Sequence, residues 1–102
     1  VAEPLSLDAA LAVALVTADA GHPTVSGEAV MMVAGPSRGV AALDAVNEVL
    51  EFAHREGRKV VATEPDLGPA AAEVAARVAR RWPELSPDVV RRVGNLWAYE
   101  NR

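Results

Sequence analysis

Ser6 is followed by an almost unbroken apolar run, LDAALAVALVTADAG, with Asp8 near its start and Gly21 after its end. A hydroxyl that caps free N–H groups, an acid at the positive end of the helix dipole and a terminal glycine predict a helix over about 7–20. Leu7, Leu11, Leu15 and Ala18 form its stripe, yet Val13 and Val16 are apolar too, so the helix should be covered on most sides. The next stretch, GHPTVSGEAVMMVAGPSRG, leaves two readings open. Val30 to Ala34 fits a short buried strand or a short helix capped by Ser26, because five residues carry no decisive period. Gly35-Pro36 breaks either one.

Ser37 opens a helix that the pattern carries to about Glu56. Leu43, Val46, Leu50 and Ala53 recur on one side of it, and Asp44, Glu48, Glu51 and Arg55 on the other. Gly57 reads as its end, and RKVVATEPD as a short extended segment. A further helix is expected over about 68–82, with Leu67, Ala71, Val74, Val78 and Trp82 facing inward, Glu73 and Arg77 paired outside, and Pro83 as the stop. Ser86-Pro87-Asp88 then supplies an N-cap, a residue suited to the first helical position and a charge on the dipole. On the last helix Val89, Val90, Val93, Leu96 and Trp97 make an inward stripe. Arg91, Arg92, Asn95, Tyr99 and Arg102 take the complementary spacing. Gly94 costs such a helix about 1 kcal/mol relative to alanine, which a close approach by another helix would explain.

These elements predict a mainly α fold: one domain over 1–102, a compact bundle of four to five helices with room for short extended segments at about 30–34 and 59–63. Trp82 and Trp97 are its expected core anchors. Arg91, Arg92, Tyr99 and Arg102 are the expected partner-facing edge.

Composition adds that bulk is scarce. Of the 102 residues 51% are hydrophobic, but alanine and valine supply most of them and isoleucine is absent. Small side chains bury little area each, so helices must approach closely or be completed by a neighbour. With no cysteine, disulfides, cysteine-ligated zinc and thiol chemistry are excluded. The apolar run Ala9 to Val16 is far too short to span a bilayer and has no basic region before it, so neither a membrane span nor a signal peptide is expected. A cytoplasmic place, or one inside an assembled virion-like particle, is the expected location.

Charge is unevenly spread. Residues 1–50 hold six acids and one base, Arg38, a balance of −5, whereas residues 51–102 hold eight acids and nine bases, a balance of +1. The bases gather at Arg55/Arg58/Lys59, Arg77/Arg80/Arg81 and Arg91/Arg92/Arg102, so any acidic partner would meet the second half.

Candidate chemistry is thin. His22 and His54 lack carboxylates at a metal-ligand spacing, no nucleophile–base set stands out, and no enzyme activity, cofactor or metal is expected. Residues 30–66 also admit a strand–turn–helix–strand reading with a phosphate at the Gly35–Gly39 loop. Its G-x-x-x-G spacing matches neither the dinucleotide fingerprint nor the P-loop, and no lysine follows. Residues 18–53 somewhat resemble the helix-turn-helix domains of plasmid partition and stability proteins. A recognition helix carrying Asp44, Glu48 and Glu51 would face phosphates with negative side chains, which disfavours nucleic acid as a specific ligand.

The tail SPDVVRRVGNLWAYENR, through Trp97, Tyr99, Glu100, Asn101 and Arg102, resembles the end of the small head–tail connector (adaptor) proteins of tailed bacteriophages. ALDAVNEVLEFAHREGR resembles that family's long helix, which ends near a Gly-Arg pair, here Gly57-Arg58. The two segments, 41–58 and 86–102, cover about a third of the chain. The resemblance implies a subunit ring stacked on a portal, with no cofactor and no chemistry, whose partners are other copies or neighbouring assembly proteins. The alternative is a small helix-turn-helix regulator or partition-type protein.

Overall fold

The structure is a computed structural model that describes residues 5–17 and 23–101. Ala18, Gly21, His22 and Arg102 therefore lie outside the described residues. The order of elements is α1 (Leu7–Ala14), β1 (Leu15–Thr17), β2 (Pro23–Val25), α2 (Gly27–Ala34), α3 (Pro36–Val61), α4 (Leu67–Arg81) and α5 (Pro87–Glu100). The fold is mainly α, as the patterning predicts.

Three hydroxyls act as the sequence implies. Ser6, Ser26 and Ser86 each accept the backbone N–H three residues on, from Ala9, Ala29 and Val89 at 3.1, 3.2 and 3.3 Å, and so start α1, α2 and α5. The Ser26 cap decides the open question at 30–34: that stretch is helix α2, not an extended segment. Gly35 alone joins α2 to α3, with a φ of 84° that a side chain would strain, and Pro36 opens α3 without losing a needed donor.

The first helix is shorter than the expected 7–20. It ends at Ala14, and Leu15-Val16-Thr17 turns into a strand antiparallel to Pro23–Val25 in the register Leu15↔Val25, Val16↔Thr24, Thr17↔Pro23. β-Branched Val16 and Thr17 favour the extended backbone, and Pro23 cannot continue a helix ladder. A two-stranded ribbon is marginal by itself. This one is seated on α5 and continued by a Ser26 N–H that donates to the Ala14 carbonyl at 2.8 Å.

The other extended segment, expected at about 59–63, is also corrected. α3 runs through Gly57 for 26 residues to Val61, and only Ala62 and Thr63 turn away. At 1.5 Å per residue this is roughly 39 Å of helix, and α3 is the one element long enough to set the 47 Å longest dimension. Gly57 does not stop α3, because the indole of Trp97 covers it and tertiary packing outweighs glycine's poor propensity.

α3 is the spine: α1 and α2 pack on it, as do α4 and α5. Val46, Val49, Ala53 and Val60 of α3 are buried with Leu11 of α1, Val30 of α2, Val74 and Val78 of α4, and Val93 and Leu96 of α5. Among the expected inward residues Leu43 and Leu50 are half-buried at the margin. Both tryptophans are core residues, Trp97 3% and Trp82 8% exposed. Phe52 meets Trp82 edge to face at 5.1 Å between ring centroids, and the Arg81 guanidinium lies over the Trp82 ring at 4.8 Å.

Candidate functional site

The four residues expected to form one partner-facing edge are not all disposed alike. Arg91 is exposed on α5, ion-paired to Asp88 one turn earlier. Arg92 is turned into the molecule: its Nη2 donates to the carbonyls of Leu15 and of Ala12, the latter at 3.2 Å, while Nη1 lies 3.8 Å from Asp88 Oδ2. It satisfies carbonyls that the early end of α1 leaves without helical partners. Asp8 makes the reciprocal tie, its Oδ1 accepting the Ser86 N–H at 2.8 Å. α1 and α5 are thus clamped twice, the start of each helix to the other and Arg92 across the end of α1. Tyr99 is half-buried near the end of α5.

The arginines of α4 are engaged as well. Arg77 bridges Glu56 of α3 at 3.2 Å and Glu73 at 3.0 Å, Lys59 adds a 2.7 Å contact to Glu56, and Arg80 one of 3.4 Å to Glu73. The expected Glu73–Arg77 pair is part of this network. The Lys59 ammonium and, after it, Arg77 hold the Glu56 carboxyl below its ordinary range. Arg77 and Arg80 do the same for Glu73, and Arg77 is in turn held more firmly charged by Glu73 and Glu56. At the other side of α3, His54 Nε2 lies 3.4 Å from Glu100 Oε1.

The Gly35–Gly39 loop is not a phosphate cradle between strands. It is the joint between two helices; Gly39 is buried against Met31, and its N–H donates to the Gly35 carbonyl at 2.7 Å. Among the described residues no three His, Cys, Asp or Glu side chains converge as a metal site. None of the described helices is long and apolar enough to cross a membrane.

What the sequence reading missed is a groove of about 740 Å³ between α4 and α5. Leu67, Ala71, Ala75, Leu85, Val90 and Gly94 supply its apolar lining, with Arg91 and Asn95 on its wall. It follows from small residues on both helices. A Cβ on Gly94 would sit 3.0 Å from the Ala71 carbonyl oxygen and 3.1 Å from the Ala75 methyl, so α5 approaches α4 with nothing to spare, as Gly94 suggests. Alanines along the outer edge then leave a trough above the crossing. The signal is the Ala-rich GPAAAEVAARVA, whose small residues imply a close helix approach but not the trough beside it. A second uncovered apolar surface lies where α2 joins α3: Met32 is 79% exposed, and Val33 and Val40 each 58%.

Comparison of the chain with family models, with curated proteins and with solved structures gives no significant match. The class the structure defines is therefore the fold itself: a mainly α bundle on a long central helix, with a two-stranded antiparallel sheet between its first two helices.

Proposed function

We propose that this chain is a structural protein–protein assembly module, most specifically a head–tail connector (adaptor) subunit of a phage-like particle. The observation that carries the module reading is the α4–α5 groove: an open apolar trough of about 740 Å³ walled by two well-packed helices. A concave, mostly apolar groove with a few polar groups on its wall is the kind of place where something binds. Exposed Met32, Val33 and Val40 add a second apolar surface. The connector assignment rests on the resemblance over 41–58 and 86–102. In this reading the chain catalyses no reaction, holds no cofactor, and works in the cytoplasm or within an assembled particle beside other copies or neighbouring assembly proteins.

The helix-turn-helix alternative has a matching joint in α2–Gly35–α3, but exposed Asp44, Glu48 and Glu51 line α3 with the wrong charge for phosphates. Anisotropy of a labelled duplex at physiological salt separates the two. Negligible binding, with co-sedimentation of the chain into larger particles, supports the module. Tight and steeply salt-dependent duplex binding by a monomer or dimer establishes the regulator instead.

A further inference from the structure

We propose that the occupant of the α4–α5 groove is the α2 ridge of a second copy of this chain, led by Met32. This rests on the assembly reading and names its contact. The two apolar surfaces are complementary in shape. The groove is concave, so two grooves laid face to face would leave a void and forfeit contacts, whereas α2 presents Met32, 79% exposed, as a projecting side chain. Methionine adapts its unbranched chain to irregular apolar walls. Length agrees: α2 has eight residues, about 12 Å of helix, and the groove follows α4 from Leu67 to Ala79, about 18 Å.

Charge agrees too. Glu28 stands one helical turn before Met32 on the exposed side of α2, and Arg91 stands on the groove wall. The pairing repeats on a small scale the −5 and +1 balances of the two halves of the chain. Arg91 already holds Asp88, but an exposed pair of that kind contributes little and exchanges readily.

Within one molecule α2 packs on α1 and α3, while the groove belongs to α4 and α5, so the ridge belongs to a different part of the fold from its own groove. Made once per pair, a ridge-in-groove contact is heterologous: each added copy leaves one free ridge and one free groove, and growth continues until a ring closes or a filament extends; made reciprocally about a two-fold axis, it closes a dimer.

The test uses two exposed positions, so that the fold is kept and circular dichroism can check that it is. Met32→Glu disables the ridge and Ala72→Glu the groove. The wild type should self-associate, to a closed dimer or beyond, each variant alone should be monomeric, and the equimolar mixture should stop at the mass of a heterodimer, which keeps one intact contact. Glu28→Arg should weaken association at least several-fold, and Arg91→Glu in the same chain should restore it. A wild type that is monomeric at its highest soluble concentration overturns the contact. So does association that Met32→Glu leaves intact, whether Ala72→Glu abolishes it (groove on groove) or not (another surface). In those last two cases the assembly reading stands and only its interface is wrong; tight duplex binding by a monomer removes the assembly reading itself.

Discussion

The indole of Trp97, on α5, lies directly on the backbone of Gly57, about one turn before the end of α3, so that a Cβ added there would overlap the ring at Nε1 and Cε2. Glycine in a helix interior is unfavourable by about 1 kcal/mol against alanine. Here that deficit is offset by the seating of one of the two tryptophans in the core. Close approach at Gly57, and again at Gly94 against Ala71 and Ala75, is how a chain poor in bulky residues brings three helices together.

Gly57→Ala should therefore destabilise the protein despite its better helix propensity. Overpacking against a rigid, buried indole costs about 1–3 kcal/mol, read as a lower midpoint in urea unfolding. Gly68→Ala is the control: a Cβ there meets nothing within 4 Å, and the same substitution should leave stability unchanged or raise it.

Arg92→Ala should cost about 1.5–3 kcal/mol, the range for a hydrogen bond from a charged donor whose loss leaves carbonyls unpaired. The loss should be local first: amide exchange should accelerate in α1 and in the β1–β2 ribbon before it does in α3 and α4. Arg92→Lys should recover only part, since a single ammonium cannot stand in for a guanidinium whose Nη2 meets the Ala12 and Leu15 carbonyls while its Nη1 faces Asp88.

Removing the Ser86 hydroxyl should cost α5 about 1 kcal/mol. Ser86→Ala loses the acceptor for the Val89 N–H but keeps the backbone N–H that donates to Asp8. The double variant with Asp8→Ala should lose more than Ser86→Ala alone, and a thermal-melt double-mutant cycle measures whether the two contacts couple.

Acid should loosen the junction of α3 and α4. Glu56 and Glu73 titrate below their unfolded values, so the unfolded chain takes up their protons more readily. Their contribution is complete above the unfolded glutamate range, about 4.3, and is lost as pH falls through the lower folded values. Urea midpoints over a pH series should drop in that acidic window, and Glu56→Gln should flatten the drop.

The capped helices were legible because their signals are local. Ser86-Pro87-Asp88 starts α5, and the spacing of Val89, Val93, Leu96 and Trp97 names its inner face, each residue no more than four positions from the next. Gly57 and the segment 59–63 were misread for the opposite reason. Whether that glycine ends a helix or receives a ring depends on Trp97, forty residues away. Likewise α1 ends at Ala14 because partners elsewhere, Pro23–Val25 and Arg92, take up what the helix gives up. The periodicity of α5 put Arg92 on an outer face, since spacing cannot show that carbonyls of α1 lie within reach. The groove was invisible for a related reason: it is made of what alanines and Gly94 leave out.

Light scattering of the wild-type chain across a concentration series, with and without duplex DNA, bears on the whole reading at once. The molar mass should climb beyond that of a monomer as concentration rises and be unaffected by the duplex. A mass fixed at one chain, shifting only by the mass of a bound duplex, would contradict it.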